Sequence, residues 1–249
     1  MSGWLAVAGI GPGGAALITP EVTDALAEAT DVVGYAPYLA RIAPRAGAAF
    51  HASDNRVELE RAAHALTLAA AGRCVVVVSS GDPGVFAMAA AVFEALEAGP
   101  ETWRTLDIRV LPGITAMLAA SARAGAPLGH DFCAINLSNN LKPWPVIDHR
   151  LRLAAEADFA IALYNPRSVA RPDDFARALD VLREACGPER PILFARAVST
   201  PEEALRVVTL GEARSEMADM RTLVIVGSSR TRRIDRPGGS LLYTPRFAA

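Results

Sequence analysis

Short β-rich runs alternate along the chain with longer Ala- and Leu-rich segments of helical period, and this alternation constrains the fold more than any other feature. It is the signature of βα units rather than of a sandwich. The candidate strands are Trp4 to Ile10, Asp31 to Gly34, Cys74 to Ser79, Ile108 to Leu111, Phe132 to Leu137, Phe159 to Tyr164, Ile192 to Ala195, Val207 to Leu210 and Leu223 to Val226. Most are apolar on both faces, which predicts central places in their sheets.

Helix starts are readable between the strands. Thr19-Pro20-Glu21 offers an N-cap, a first-turn proline and a first-turn acid for a helix through Ala29. Ser53 or Asp54 is expected to cap a helix through Ala71, and Asp82-Pro83 to open one through Leu96. Thr115 to Ala124, Val146 to Ala155, Asp173 to Ala185 and Pro201 to Arg206 fill the other helical slots. A chain of 249 residues suffices for one large or two ordinary domains. No flexible linker is visible, and the turn-rich Leu111-Pro112-Gly113 or Gly125 to Gly129 marks the best boundary. The fold class expected is α/β, with α/β domains over 1–112 and 113–249.

Composition excludes several function classes. Apolar residues make up 51% and charged residues 21%, with 19 Gly and 17 Pro scattered, which is not the profile of a disordered or fibrous chain. The 25 basic and 27 acidic residues leave a net charge of -2, so no global basic field exists to hold nucleic acid. Lys142 is the only Lys, so 24 of the 25 basic residues are Arg. Cys74, Cys133 and Cys186 lack pairing or CxxC spacing, as reduced cytoplasmic thiols do. The apolar stretch Trp4 to Ile10 is too short for a signal peptide, and no run approaches the roughly 18 residues that span a bilayer. The expectation is a soluble cytoplasmic protein without membrane or nucleic-acid partners.

Chemistry-bearing residues gather at the carboxyl ends of the strands. Gly9-Ile10-Gly11-Pro12-Gly13-Gly14 formally satisfies GxGxxG, but a dinucleotide site needs a helix opening within the loop, and here the helix signal waits until Thr19. The acid expected at the end of the second strand is also missing, since Asp31 precedes that run. Glycines at such a place still mean close backbone approach to something. Ser79-Ser80-Gly81-Asp82-Pro83-Gly84-Val85-Phe86 stands at a second strand exit, where Asp82 can cap a helix and keep lone pairs for a ribose or amino group. Leu111 to Ala116, Ser138 to Trp144 and Tyr164 to Ser168 mark three more exits. His51, His64, His130 and His149 are isolated in sequence, so no metal is expected. No GxSxG elbow or paired-carboxylate pattern stands out, which leaves the chemistry to a bound reagent that the protein orients.

Together these stretches resemble the tetrapyrrole methyltransferases, which methylate uroporphyrinogen and corrin precursors with S-adenosyl-L-methionine. Gly9 to Gly13 is similar to that family's GxGPG, and Gly81-Asp82-Pro83 to its GDP motif. Val33-Gly34-Tyr35, Ser79 to Ala87, Leu128 to Phe132, Lys142-Pro143-Trp144 and Leu163 to Ser168 resemble the ring-contracting C17-methylating branch of cobalamin biosynthesis, which acts on the precorrin macrocycle. The resemblance implies two α/β domains of tetrapyrrole methylase rather than Rossmann type, a cofactor cleft between them and a homodimer. Carried over by motif, Gly9, Gly11, Pro12, Gly13, Gly81, Asp82, Val85, Thr115, Ala116 and Leu163 would line the cofactor site, with Arg196, Ala197 and Thr222 near the adenine. His130, Asp131, Ser138 and Tyr164 are the candidate acid, base or hydroxyl groups for contraction. A polycarboxylate substrate calls for Arg, and Arg41, Arg45, Arg56, Arg167 and Arg171 fall in or near loops. Asn139 stands where the family pattern has a carboxylate, and Val226-Gly227-Ser228-Ser229 departs from its VGNS-type string. Competing readings are the related enzyme of the cobalt-containing ring, a non-catalytic tetrapyrrole carrier, and an NAD-dependent oxidoreductase.

Overall fold

A computed structural model describes residues 3–55, 57–140 and 142–247. The chain divides into two compact units, Met1–Thr115 and Ala116–Ala249.

The first unit runs β1 (Trp4–Gly9), α1 (Pro20–Glu28), β2 (Asp31–Tyr35), α2 (Ala36–Leu39), β3 (Ala49–Ser53), α3 (Glu58–Ala70), β4 (Cys74–Ser79), α4 (Met88–Ala98) and β5 (Asp107–Leu111). Every described pairing in its sheet is parallel, in the order β3-β2-β4-β1-β5. The two-residue period of the strands divides the core. Leu5, Val7, Val33, Val75 and Val77 pack with α3 and α4, whereas Ala6, Ala8, Val32, Val76 and Val78 pack with Val22 and Leu39 of α1 and α2. Helices on both faces explain why the inner strands are continuous apolar runs. Thr19 caps α1 as its sequence predicts, accepting the Val22 N–H at 3.4 Å.

Two helix starts are corrected. Ser53 closes β3, a strand the sequence analysis did not anticipate, and α3 begins only at Glu58 behind Val57, with no side-chain cap. The β3 sequence Ala-Phe-His-Ala-Ser is only weakly apolar because it is the sheet's edge. Asp82-Pro83 likewise opens no helix: residues 82–87 form turns, and α4 starts at Met88.

The second unit comprises α5 (Ala116–Ala124), β6 (Gly125–Ala126), β7 (Phe132–Asn136), α6 (Trp144–Glu156), β8 (Ala160–Tyr164), α7 (Asp174–Cys186), β9 (Pro191–Arg196), β10 (Ala204–Thr209), β11 (Thr222–Val226), β12 (Arg232–Ile234) and β13 (Leu241–Tyr243). Its main sheet is mixed, β10-β9-β11-β8-β7, with β7 and β8 parallel and β11 antiparallel to both β8 and β9. Phe175, Leu179 and Leu182 of α7 and Ile147 and Leu151 of α6 pack on Ile161, Leu163, Ile192 and Phe194. The helix expected over Pro201 to Arg206 is instead a turn followed by β10, which pairs antiparallel with β9. Side chains there do satisfy backbone groups: Glu203 accepts the Ser199 N–H at 2.6 Å and Thr200 Oγ1 the Glu202 N–H at 3.2 Å. These local bonds complete a turn instead of starting a helix.

Asp158 ties this unit together, accepting from Ser229 N–H (2.7 Å), Ser229 Oγ (2.5 Å) and Arg190 Nη1 (2.7 Å). Burial alone would raise its pKa, but the Ser229 and Arg190 bonds outweigh burial and hold it below the ordinary value. Asp219 is lowered in the same way, against burial, by Thr222, Arg196 and the Arg221 N–H. A carboxylate depressed in the folded state contributes stability that is full above its unfolded pKa of about 3.9 and is lost as pH falls through the folded value. Urea midpoints should therefore drop from pH 5 to pH 3, and the Asp158→Ala protein should show a shallower drop over that window.

Candidate functional site

In the first sheet β1 leads across β4 to β2 through α1 on one face, while β4 leads across β1 to β5 through α4 on the other. The crevice outside the carboxyl ends of β1 and β4 is thus the topological switch point, where open α/β sheets bind ligands. The two strands end in register, Gly9 opposite Ser79. The pairing continues into the loops: Ile10 N–H donates to Ser79 O at 2.9 Å, and Gly11 and Gly81 exchange N–H···O bonds of 3.2 and 2.9 Å. Both glycines hold φ of 67°, a left-handed conformation that a side chain disfavours. What the glycine loops approach is each other. A Cβ on Gly9 would stand 2.7 Å from both the Gly113 nitrogen and the Gly81 oxygen.

Asp82 locks this arrangement. Its Oδ1 accepts the Gly84 N–H at 2.8 Å and its Oδ2 the Gly113 N–H at 3.0 Å, so one carboxylate joins the loops after β4 and β5. Val85 N–H closes the same turn on Asp82 O at 3.3 Å. Arg41 locks the other side. Its Nη2 donates to the carbonyls of Ile10 (2.7 Å), Gly11 (2.9 Å) and Gly13 (3.1 Å), and its Nη1 to Ser80 Oγ (3.2 Å). Burial pushes its pKa down. Arg41, expected at the substrate carboxylates, therefore spends its fork on the main chain around Pro12. Ser80 and Gly113 lie in strand exits that the sequence singled out, but their bonding roles and this use of Arg41 were not anticipated from it. We expect Arg41→Lys, which keeps charge but not the fork, to cost about 1 kcal/mol of stability in urea unfolding, the worth of one lost hydrogen bond.

Only a short 3-10 turn, Ala15–Leu17, separates the glycine loop from α1, which begins at Pro20. No helix N-terminus opens within the loop, against a dinucleotide site of Rossmann geometry.

The second unit has its own cluster at the carboxyl ends of β7, β8 and β9. Asn136 Oδ1 accepts from Ser138 N–H (2.9 Å) and Asn165 Nδ2 (3.1 Å), and Tyr164 Oη accepts the Met117 N–H at 3.1 Å. Arg171 Nη1 reaches the carbonyls of Leu137 (3.3 Å) and Asn165 (3.4 Å), with Asp174 Oδ2 at 3.9 Å. Arg196 pairs with Asp219 at 2.7 Å, Thr222 Oγ1 donates to Asp219 at 2.8 Å, and Ala197 N–H donates to Arg221 O at 2.8 Å. Among the described residues the non-glycine positions of positive φ are Phe86, Asp158, Asn165, Ala197 and Ser199, and all but Asp158 fall at strand exits. Backbone strain of this kind concentrates where function demands it.

Several expected site residues are not brought together. His130 and Asp131 precede β7, whereas Ser138 follows it; a strand of five residues at about 3.3 Å each separates them by roughly 20 Å. His130 Nδ1 accepts the Asp131 N–H at 2.7 Å, a turn-buttressing contact. Ser138 and Tyr164 share one end of the sheet, and His130 and Asp131 stand at the other. Leu163 is fully buried in the core, between β7 and β11. Thr115 is buried and precedes α5, which Ala116 opens. Arg45 donates to Ala29 O at the end of α1, and Arg167 Nε to Pro172 O at 3.3 Å. Arg56 lies outside the described residues.

Comparison with known proteins accords with this geometry. The family model for tetrapyrrole (corrin/porphyrin) methylases matches residues 5–214. A precorrin-3B C(17)-methyltransferase from Sinorhizobium sp is 56% identical over 100% of this chain and 98% of its own. A protein of Salmonella typhimurium named "Probable cobalt-factor III C(17)-methyltransferase" is 40% identical over 97% of this chain and 98% of its own. The crystal structure of the methyltransferase CobJ superposes with TM-score 0.94 at 66% identity, covering 98% of this chain and 100% of that one. A uroporphyrin-III C-methyltransferase from Thermus thermophilus complexed with S-adenosyl homocysteine shares the fold, with TM-score 0.66 at 24% identity over 90% of this chain and 97% of that one. The chain belongs to the tetrapyrrole methylase family.

Proposed function

We propose that the protein transfers the methyl group of S-adenosyl-L-methionine to C17 of precorrin-3B, with contraction of the macrocycle to precorrin-4, in cobalamin biosynthesis. The observation that carries the reading is the switch-point crevice, where Asp82 and Arg41 hold loops made of glycine, together with full-length similarity to a precorrin-3B C(17)-methyltransferase. The residues present fit the cofactor. Asp82 accepts one N–H on each oxygen, which leaves about two of a carboxylate's four lone-pair sites for ribose hydroxyls or an ammonium. The glycine loops bring main-chain groups to the ligand without side-chain obstruction.

When bound, S-adenosyl-L-methionine supplies a methyl group already activated by its sulfonium. The protein's share is then alignment and exclusion of water rather than strong base catalysis. Asp82 and the loops around Gly11 and Gly81 orient the cofactor. Ring contraction requires loss of a hydroxyl proton, and Tyr164 and Ser138 are the candidate hydroxyls that stand at the carboxyl end of the second sheet. Tyr164 Oη, anchored by the Met117 N–H, is the better positioned to accept or pass that proton. His130 and Asp131, at the opposite end, are left with a structural role. Arg167 spends only its Nε on Pro172 O among its described bonds, which leaves donors for a substrate carboxylate. No helix among the described residues is long and apolar enough to cross a membrane. This accords with a cytoplasmic enzyme, which we take to act as a homodimer.

The test is turnover. Tyr164→Phe should slow ring contraction while leaving S-adenosyl-L-homocysteine affinity within about twofold, because a hydroxyl lost from proton transfer costs rate and not cofactor binding. Equal turnover by the variant would remove Tyr164 from the chemistry. The cobalt-ring reading is kept because of the similarity to the Salmonella typhimurium protein. Turnover of the cobalt-containing macrocycle alone would establish it in place of the first.

A further inference from the structure

Two of the histidines that look isolated in sequence, His51 and His64, meet in the fold. His51 lies on edge strand β3 and His64 on the exposed face of α3, and His51 Nδ1 stands 3.2 Å from His64 Nε2, with the rings tilted 60°. Behind them, Asp31 is 2% exposed at the start of β2, and its Oδ1 lies 2.8 Å from His51 Nε2. Arg73 Nε and Thr30 Oγ1 donate to its other oxygen at 2.7 and 2.8 Å. A carboxylate so placed accepts a hydrogen bond from His51 Nε2–H, which fixes the tautomer and turns the Nδ1 lone pair outward towards His64.

We propose that His51 and His64 form a binding site for a borderline divalent transition-metal ion such as zinc or nickel. Two imidazole nitrogens each about 2.1 Å from one ion stand roughly 3.0–3.4 Å apart in octahedral or tetrahedral arrangement, and the observed 3.2 Å falls within that span. Without metal, His64 Nε2–H donates to His51 Nδ1. To take a metal, His64 moves its proton to its outer nitrogen Nδ1, so both inner lone pairs face the ion and no net proton is released. Asp31 behind His51 completes the carboxylate–histidine–metal arrangement that raises ligand basicity. Among the described residues no cluster of three or more metal-ligating side chains is present, so solvent completes the coordination. Imidazole donors select zinc, nickel or copper over magnesium and calcium. The ion would clip edge strand β3 to α3, apart from the glycine loops and independent of the proposed function.

Untagged protein titrated calorimetrically with zinc chloride at neutral pH should show one saturable site, and its melting temperature should rise with zinc and not with magnesium. His64→Ala, an exposed helix position that leaves the core intact, should abolish both effects while retaining methyl transfer. Asp31→Asn should weaken zinc binding about 10–100-fold. Absence of saturable zinc binding would overturn the proposal. Zinc binding that persists unchanged in His64→Ala would overturn it equally, by assigning the ion to Cys74, Cys133 or Cys186.

Discussion

Replacing Gly113 by Ala should lower the melting temperature by about 10 °C. The added Cβ would overlap the Gly81 carbonyl oxygen and come within 2.7 Å of the Gly9 oxygen. Both obstacles are main chain, pinned by the Gly11–Gly81 exchange and by the register of β1 against β4. Overpacking typically costs about 1–3 kcal/mol and more where the surroundings cannot yield. At about 2–4 °C per kcal/mol for a chain of this size, a cost near 3 kcal/mol gives the stated shift. Gly238 is the control, because nothing lies within 4 Å of the Cβ it would gain and its φ is not left-handed. Gly238→Ala should change stability by no more than about 0.5 kcal/mol. Calorimetric scans of the two variants would check both statements, and a Gly113→Ala protein as stable as Gly238→Ala would mean that the three loops do not meet as described.

Asp82→Ala should weaken S-adenosyl-L-homocysteine binding by about 100-fold. Two N–H groups occupy about half of its lone-pair sites, which leaves about two for the cofactor, and each hydrogen bond to a charged acceptor is worth about 1.5–3 kcal/mol. Because the carboxylate is partly exposed, the lower figure applies to each, and their sum of about 3 kcal/mol corresponds to roughly two powers of ten. Asp82→Asn separates shape from charge. Its oxygen can still accept one N–H, but its amide group then faces the other donor, so an intermediate loss near tenfold is expected by calorimetry. Equal affinity of the Asp82→Ala and unaltered proteins would remove the carboxylate from the cofactor site.

Much of the fold was legible because the inner strands announce themselves. Val75 to Val78 is apolar on both faces since α3 and α4 cover one face and α1 and α2 the other. The edge strand β3 was not legible, since Phe50 and His51 between alanines need satisfy only a half-buried rim. Short-range capping signals misled wherever a side chain could complete a turn as well as a helix. Asp82 satisfies Gly84 within a turn, and Glu203 with Thr200 does the same before β10. At the site, the glycines and Asp82 were visible as residue types, but that they serve one another depends on the parallel register that brings β1, β4 and β5 to a common edge. Parallel pairing of β7 with β8 puts His130 and Tyr164 at opposite ends of a strand although both lie in motif stretches. The His51–His64 pair depends on an edge-strand register invisible to spacing alone.

Methyl transfer from a cofactor held at the β1/β4 switch point to the metal-free macrocycle is the proposed activity. Its most direct test is incubation of the purified protein with methyl-labelled S-adenosyl-L-methionine and precorrin-3B, with mass and carbon NMR analysis of the product. The product should carry one labelled methyl at C17 of a contracted ring, with one equivalent of S-adenosyl-L-homocysteine formed, and both should be lost in Asp82→Ala at cofactor concentrations that saturate the unaltered protein. Label recovered only from the cobalt-containing macrocycle, or macrocycle bound with no demand for the cofactor, would contradict it.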